Sequence, residues 1–345
     1  MKSILLTKEP SGSSLTAALV EVPIPSLVAG DVLVKMKACG LCGTDLEKLR
    51  GEYTAAMPVL GHEAAGVVAS TSGDVGDLKE GDRVFPHHHV PCHHCHYCLH
   101  GSATMCKEYR TSNIVPGGFS EFFRVPAWNV AGGGVLKLPA SMGFEEASMI
   151  EPAACCIRAL DRCSVNPDDA VLVVGAGPVG MTHSLLLLAN KAKVFVSDVS
   201  ASRLEFARRS GIQSAFDASK VDVPTSVKEL TGGRGADVAI VASGNQGAIV
   251  QALRSVRRGG KVCLFGVPLK GSRLEYDVSD IFNAEVSLIS SYAATDFETK
   301  KALDLMTSRH VDFGPLITHR FHLADFDEAV QNALGGKGMK TIITP

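Results

Sequence analysis

The stretch VLVVGAGPVG, residues 171–180, decides the fold. An unbroken run of β-branched and apolar residues is what a parallel strand covered on both faces requires. It passes directly into Gly175-Ala176-Gly177-Pro178-Val179-Gly180, a G-x-G-x-x-G turn, and then into PVGMTHSLLLLANK, a helix with apolar positions nearly all round. The next strand, KVFVSD, ends on the acidic Asp198. Alone the glycine motif is weak, but between a buried strand and a helix, with an acid at the following strand end, it reads as a dinucleotide site. Gly175 permits the tight turn, Gly177 lets the backbone approach a pyrophosphate, and Gly180 lets helix pack on strand. The helix opened by Pro178 and Val179 offers its free N–H groups and positive dipole end to the phosphates. Asp198 would accept from a ribose 2′-OH and repel a 2′-phosphate, which predicts NAD rather than NADP. Arg203 is read either as stacking on the adenine or as a surface residue of its helix.

Downstream the same alternation continues. SRLEFARRSG reads as a helix ending at Gly211, DVAIVA as a strand, QGAIVQALRSVRRGG as a helix and KVCLFG as a strand. Strand–helix alternation of this kind predicts βαβ units and a doubly wound sheet. Upstream the texture differs. From Ser3 to about Val135, short apolar runs such as DVLVKMKACG, HEAAGVVAS, GDRVFP and GFSEFFRVP are broken by Gly and Pro, which predicts short antiparallel strands and a small, irregular barrel. After VSLISS the pattern is less regular, with helices expected through KKALDLMTSRH and FDEAVQNAL.

At 345 residues the chain has room for two domains. With 46% hydrophobic and 20% charged residues it can build real cores. A formal charge of -2 argues against a nucleic-acid partner. The opening MKSILLTKEP is too short an apolar run for a signal peptide, and no later segment is apolar for long enough to span a membrane. Ten cysteines without a secretion signal suggest reduced thiols and metal ligands, hence a cytoplasmic protein.

Four of those cysteines, Cys92, Cys95, Cys98 and Cys106, follow one another as C-x2-C-x2-C-x7-C. Two-residue gaps let neighbouring thiolates converge on one ion, and the last closes the tetrahedron from across a loop. Four thiolates with no water make a structural zinc site. An Fe–S cluster would bring a differently spaced run ending in Cys-Pro, and a disulfide lobe needs an oxidising compartment. A second ligand set lies upstream and downstream of this lobe: Cys42 in CGLCGTD, His62-Glu63 in LGHEAAG, and Glu151 in IEPAACC. With Glu151 as the third ligand beside Cys42 and His62, three protein ligands leave a fourth position open for water or substrate. Pro152 suits a first helical turn, so Glu151 is expected just before a helix.

With these motifs in view the chain resembles the zinc-containing medium-chain dehydrogenases, the group that includes alcohol, sorbitol and threonine dehydrogenases. CGTD, GHE, GDRV, the four-cysteine lobe, GGFSEFFRVP, IEP, GAGPVG and the terminal GKGMKTIITP carry the resemblance over nearly the whole length. It implies an α/β protein: a GroES-like antiparallel β catalytic domain over residues 1–151, with the structural zinc lobe, and a Rossmann doubly wound parallel sheet over 152–290. Residues 291–345 would complete the catalytic domain, with the active-site cleft between the two. Two zinc ions per chain and NAD are the implied cofactors. Cys42 and His62 would hold the catalytic zinc, with Glu63 and Glu151 as carboxylates that exchange with water. A carboxylate at Glu151 is similar to the polyol and threonine branch. Thr44 would accept the hydroxyl proton of the substrate.

Two positions depart from the family pattern. Glu47 stands where a relay histidine is often found, so it is either the relay or a solvated helix-face charge. Ser291 is the best match to the polyol-binding arginine of sorbitol dehydrogenases. His89 matches a substrate-facing histidine of threonine dehydrogenases, whereas His87, His88, His93, His94, His96 and His100 are read as coating an exposed loop. The expected function is zinc- and NAD-dependent oxidation of a secondary alcohol, whether polyol, sugar derivative or cyclitol. The alternatives are threonine 3-dehydrogenation and, in another class, a catalytically silent NAD-binding protein. The expected partners are a small-molecule alcohol and further copies of the chain, as a homodimer or homotetramer joined through the strand at 286–290.

Overall fold

The computed structural model describes residues 1–8, 15–50, 59–268, 270–336 and 338–345. Its strands are β1 (Lys2–Lys8), β2 (Leu15–Glu21), β3 (Val32–Gly40), β4 (Glu63–Thr71), β5 (Arg83–Pro86), β6 (Phe122–Val125) and β7 (Val135–Lys137). They continue with β8 (Ala170–Val174), β9 (Lys193–Asp198), β10 (Ser214–Asp217), β11 (Ala236–Val241), β12 (Val256–Leu264), β13 (Ser287–Ser290), β14 (Ile317–His322) and β15 (Lys340–Thr344). The chain divides into two compact units, one of Met1–Ala154, Ala294–Arg309 and Phe313–Pro345, the other of Cys155–Ala293 and His310–Asp312.

The first unit is built on a sheet of order β14-β15-β3-β4-β5-β7, with β6 also on β3 and a separate β1-β2 hairpin. Its pairs are antiparallel apart from β14 with β15. Short strands broken by glycine and proline give this irregular GroES-like sheet, and its central strands β3 and β4 bury consecutive residues. Val34, Met36, Phe119, Phe123, Phe326 and Ile343 fill its core. The late strand β15 lies against β3, pairing Ile342 with Gly40, so the end of the chain is part of the wall that carries Cys42.

The second unit is a six-stranded parallel sheet of order β10-β9-β8-β11-β12-β13, the doubly wound arrangement. All five residues of β8 are buried, as a strand covered on both faces demands. One element departs from the sequence reading. The helix expected through Gly260 stops at Ser255, and β12 takes up VRRGGKVCL. There the chain pairs with β11, Arg257 Nε donates to Asp237 Oδ1 at 2.6 Å, and Gly259 takes φ +67°, which no helix continues. At the sheet's end, β13 leaves Leu288 43% exposed. Among the described residues no helix is long and apolar enough to cross a membrane.

Candidate metal centres and dinucleotide site

Antiparallel pairing of β3 with β4 sets Gly40 opposite Glu63. The residues just beyond the end of β3 and at the start of β4 therefore meet, and these are Cys42, His62 and Glu63. One donor atom from each lies within 4.8 Å of the others. Asp45, fully buried on the helix Gly43–Leu49, ties the two segments together. Its Oδ2 accepts from the Cys42 N–H and its Oδ1 from the Gly61 N–H, both at 3.1 Å, and Oδ1 lies 3.5 Å from His62 Nδ1. The carboxylate thus stands behind the imidazole, where metal-binding histidines commonly have one. Burial works against the charge of Asp45, yet His62 and Lys48 hold its carboxyl below the ordinary aspartate range.

Glu63 is 1% exposed and forms an ion pair with Lys340 of β15, itself 4% exposed. Burial disfavours the Lys340 charge, but Glu63, Cys42 and then Glu151 raise its pKa above the usual lysine range. Gly40 makes room for this pair, since a Cβ there would lie 1.8 Å from Glu63 Oε2. Glu63 Oε1 has no hydrogen-bond partner. Glu151 stands outside the three-donor set. It lies in the first turn of the helix Ile150–Cys163, not before it, and is 6% exposed. Thr44 Oγ1 is 3.7 Å from Cys42 Sγ. Glu47 is half-buried on the same helix and engaged by its surroundings. Ser291 is buried, and its hydroxyl has no partner among the described residues.

The histidine run corrects the sequence reading. His87 and His88 do not coat an exposed loop, being 0% and 7% exposed. Asn129 Nδ2 donates to the carbonyls of both, at 3.1 and 2.9 Å, and turns the run inward. His87 Nε2 donates to the Ala294 carbonyl at 3.1 Å, and His89 Nδ1 to that of Ser112 at 2.5 Å. The His88 ring lies between those of His62, at 5.1 Å, and His89, at 4.1 Å. Burial pushes His87 down to about 4, and burial with the nearby His87 pushes His89 down to about 3, so both rings are neutral near pH 7. The distant signal for this buried ladder is Asn129, which spacing alone does not connect to it. His93, His94, His96 and His100 do lie on the exposed side.

Cys92, Cys95, Cys98 and Cys106 form the second donor set. Zinc–sulfur bonds of about 2.3 Å give tetrahedral S···S edges of about 3.8 Å. The observed Sγ···Sγ distances are 3.5 Å for Cys95–Cys98, 3.6 Å for Cys106–Cys92 and 4.0 Å for Cys92–Cys98. Backbone N–H groups of Cys95 and Cys92 point at the sulfurs of Cys92 and Cys106, each at 3.4 Å. Burial and its crowding by Cys95 and Cys106 push the Cys98 thiol up to about 12, so four thiolates at this spacing need a cation among them. The donors fit a closed zinc site.

In the second unit the glycine turn has the shape its sequence predicts. Gly175 has φ +104°, which an L side chain rarely adopts, and a Cβ on Gly180 would lie 1.8 Å from the Gly175 carbonyl oxygen. At Gly177 a Cβ would meet only the Arg203 guanidinium, at 3.7 Å, so the turn keeps an open cradle before the helix Pro178–Ala189. Asp198 Oδ2 accepts from the Ala176 N–H at 2.7 Å and Oδ1 from the Ser200 N–H at 2.8 Å. Each carboxylate oxygen keeps a further lone pair. Arg203 Nη1 stands 3.9 Å from Asp198 Oδ2. The cradle fits a dinucleotide.

Residues 28–151 match the family described as alcohol dehydrogenase GroES-like domain, and residues 178–308 that described as zinc-binding dehydrogenase. A sorbitol dehydrogenase of Halalkalibacterium halodurans is 30% identical over all of this chain and 99% of its own length. The chain belongs to the zinc-dependent medium-chain dehydrogenase family. An L-threonine 3-dehydrogenase of Streptomyces coelicolor shares 31% identity over 94% of this chain and 95% of its own. Among solved structures, a protein of Sinorhizobium meliloti bound to NADP superposes with a TM-score of 0.89 at 26% identity, covering 100% and 99% of the two chains. For this family member, zinc and a nicotinamide dinucleotide are the cofactors its donor sets and glycine cradle suit.

Proposed function

We propose that the protein is an NAD-dependent, zinc-dependent dehydrogenase that oxidises a secondary alcohol, a polyol, sugar derivative or cyclitol, to a ketone. The observation that carries this reading is the convergence of Cys42, His62 and Glu63, a donor set suited to zinc yet one ligand short of a closed shell. Bound there, zinc supplies Lewis-acid polarisation of a substrate oxygen while the nicotinamide exchanges the hydride. The chain's own groups do the rest. Asp45 orients the His62 ring. Lys340 holds the Glu63 carboxylate, and Glu151, close enough to act on Lys340, is the carboxylate that shares its charge. Thr44 accepts the substrate's hydroxyl proton, and Glu47, one turn along the helix, is the next acid on its way to solvent.

Asp198 supports NAD over NADP, because a carboxylate repels a 2′-phosphate; Arg203 offsets part of that charge, so a moderate preference is expected. A second reading, threonine 3-dehydrogenation, is supported by the similar identity of the Streptomyces coelicolor relative. Diols, sugar alcohols, cyclitols and threonine assayed with NAD and with NADP, read by absorbance of the reduced coenzyme, separate the two. Turnover of threonine alone would overturn the polyol reading, and equal use of both coenzymes would overturn the role of Asp198. We also read β13, with Leu288 exposed on the sheet edge, as the seam of a homo-oligomer; a monomeric mass in light scattering contradicts it.

A further inference from the structure

Within His87–His89, His88 is the ring with no hydrogen bond among the described residues. His87 and His89 spend a ring nitrogen each on the carbonyls of Ala294 and Ser112. His88 has no such partner among the described residues, and its Nδ1 is buried and unpaired. Leaving a buried polar group unpaired carries a desolvation cost that nothing offsets. The ring is also held still. Its backbone carbonyl accepts from Asn129 at 2.9 Å, and its ring centroid lies 5.1 Å from that of His62 and 4.1 Å from that of His89, both tilted, and 5.1 Å from that of His87, edge-on. A rigid, unsatisfied imidazole set against the ring of a candidate metal ligand has the properties of a substrate-reading group.

We propose that His88 is a specificity residue that hydrogen-bonds a second hydroxyl of the substrate, on the carbon next to the one oxidised. A neutral imidazole offers one donor and one acceptor nitrogen, and a hydroxyl both donates and accepts, so the two are matched. The ring's place beside His62 sets that contact next to the reacting carbon and not at the far end of a chain. The substrate class is then the vicinal diol, whether in a polyol or a cyclitol. A monofunctional secondary alcohol leaves the imidazole unsatisfied, as a site built for a hydroxyl disfavours an analogue lacking it. This rests on the proposed dehydrogenase function.

The test compares butane-2,3-diol with butan-2-ol, which differ by the second hydroxyl, on the zinc-loaded enzyme with NAD. The wild type should favour the diol by about tenfold or more in kcat/KM, the worth of one hydrogen bond. His88→Phe keeps a flat ring and removes both nitrogens. It should cost the diol about tenfold more than butan-2-ol, chiefly through KM. His88→Asn, which restores a donor and an acceptor, should recover part of the preference. Zinc content and melting temperature of each variant are measured alongside. Equal losses on both alcohols, or a loss of zinc in His88→Phe, would make His88 a support for His62 and overturn the proposal. A wild type indifferent to the second hydroxyl overturns it too. Failure of the zinc-loaded wild type to oxidise any alcohol would instead overturn the dehydrogenase reading, and this inference with it.

Discussion

His183 lies within the helix Pro178–Ala189, fully buried, with neither ring nitrogen hydrogen-bonded and its ring edge-on to Phe265 at 4.6 Å. Burial alone pushes its pKa down to about 3. Unfolded, the same group titrates near about 6.5. Between those values the unfolded chain binds a proton that the native chain refuses, so stability is lost as pH falls from about 6.5 toward about 3, at about 1.4 kcal/mol per unit. His183→Leu, close in volume, should raise the melting temperature, and by more at about pH 5 than at about pH 7. A gain of the same size at both pH values would show that His183 is not a neutral, unsatisfied ring. Its sequence, GMTHSLLLL, shows a polar residue in an apolar helix but not which face it takes. The glycines are the opposite case: Gly175 and Gly180 carry their own geometric reason, and the sequence made it readable. The burial of His87 and His88 is not legible locally, because Asn129 holds both backbone carbonyls and Ala294 takes the His87 ring, and both lie far away in the chain.

The four-cysteine lobe is a short helix, His96–Leu99, and a 3-10 turn, Ala103–Met105, with little apolar core of their own. His93 Nε2 stands 3.2 Å from Asp296 Oδ1, at the start of the helix Asp296–Thr307, a contact from the lobe to the rest of the unit. Packing therefore contributes little, and the metal is expected to hold the lobe. Cys95→Ser should lower the melting temperature by several degrees, and a chelator should do the same to the wild type while adding little to the variant. A Cys95→Ser protein that melts like the wild type and keeps its zinc would contradict this. The lobe was legible because its ligands are adjacent in the chain. The three-donor site was legible only in part. Cys42 and His62 flank strands whose pairing the sequence suggests, whereas Lys340 reaches Glu63 from a strand nearly 280 residues away, and nothing local in GKGMKTIITP announces it. The early end of the helix at Ser255 has the same origin, pairing with β11 and an Arg257–Asp237 contact that the helical preference of ALRSVRR does not announce.

For the molecule as a whole, each unit carries one half of the proposed chemistry on its own scaffold. The first gathers metal donors where β3 ends and β4 and β15 begin; the second offers a glycine cradle at the end of β8. The alternation of strands and helices disclosed the second unit almost completely, because each βαβ step is local. The first unit was disclosed by its motifs more than by its texture, since its sheet joins β3 to β15 across most of the chain. What the account asserts at this scale is that two metal sites differ in kind, one closed and structural, one open and used in turnover. The direct measurement is zinc per chain and NADH formation, on the wild type and on His62→Ala, with a vicinal diol as substrate. The account predicts about two zinc ions and turnover in the wild type, and about one zinc ion, an unchanged fold by circular dichroism and no detectable turnover in His62→Ala. A folded His62→Ala protein that oxidises the diol at the wild-type rate would contradict it.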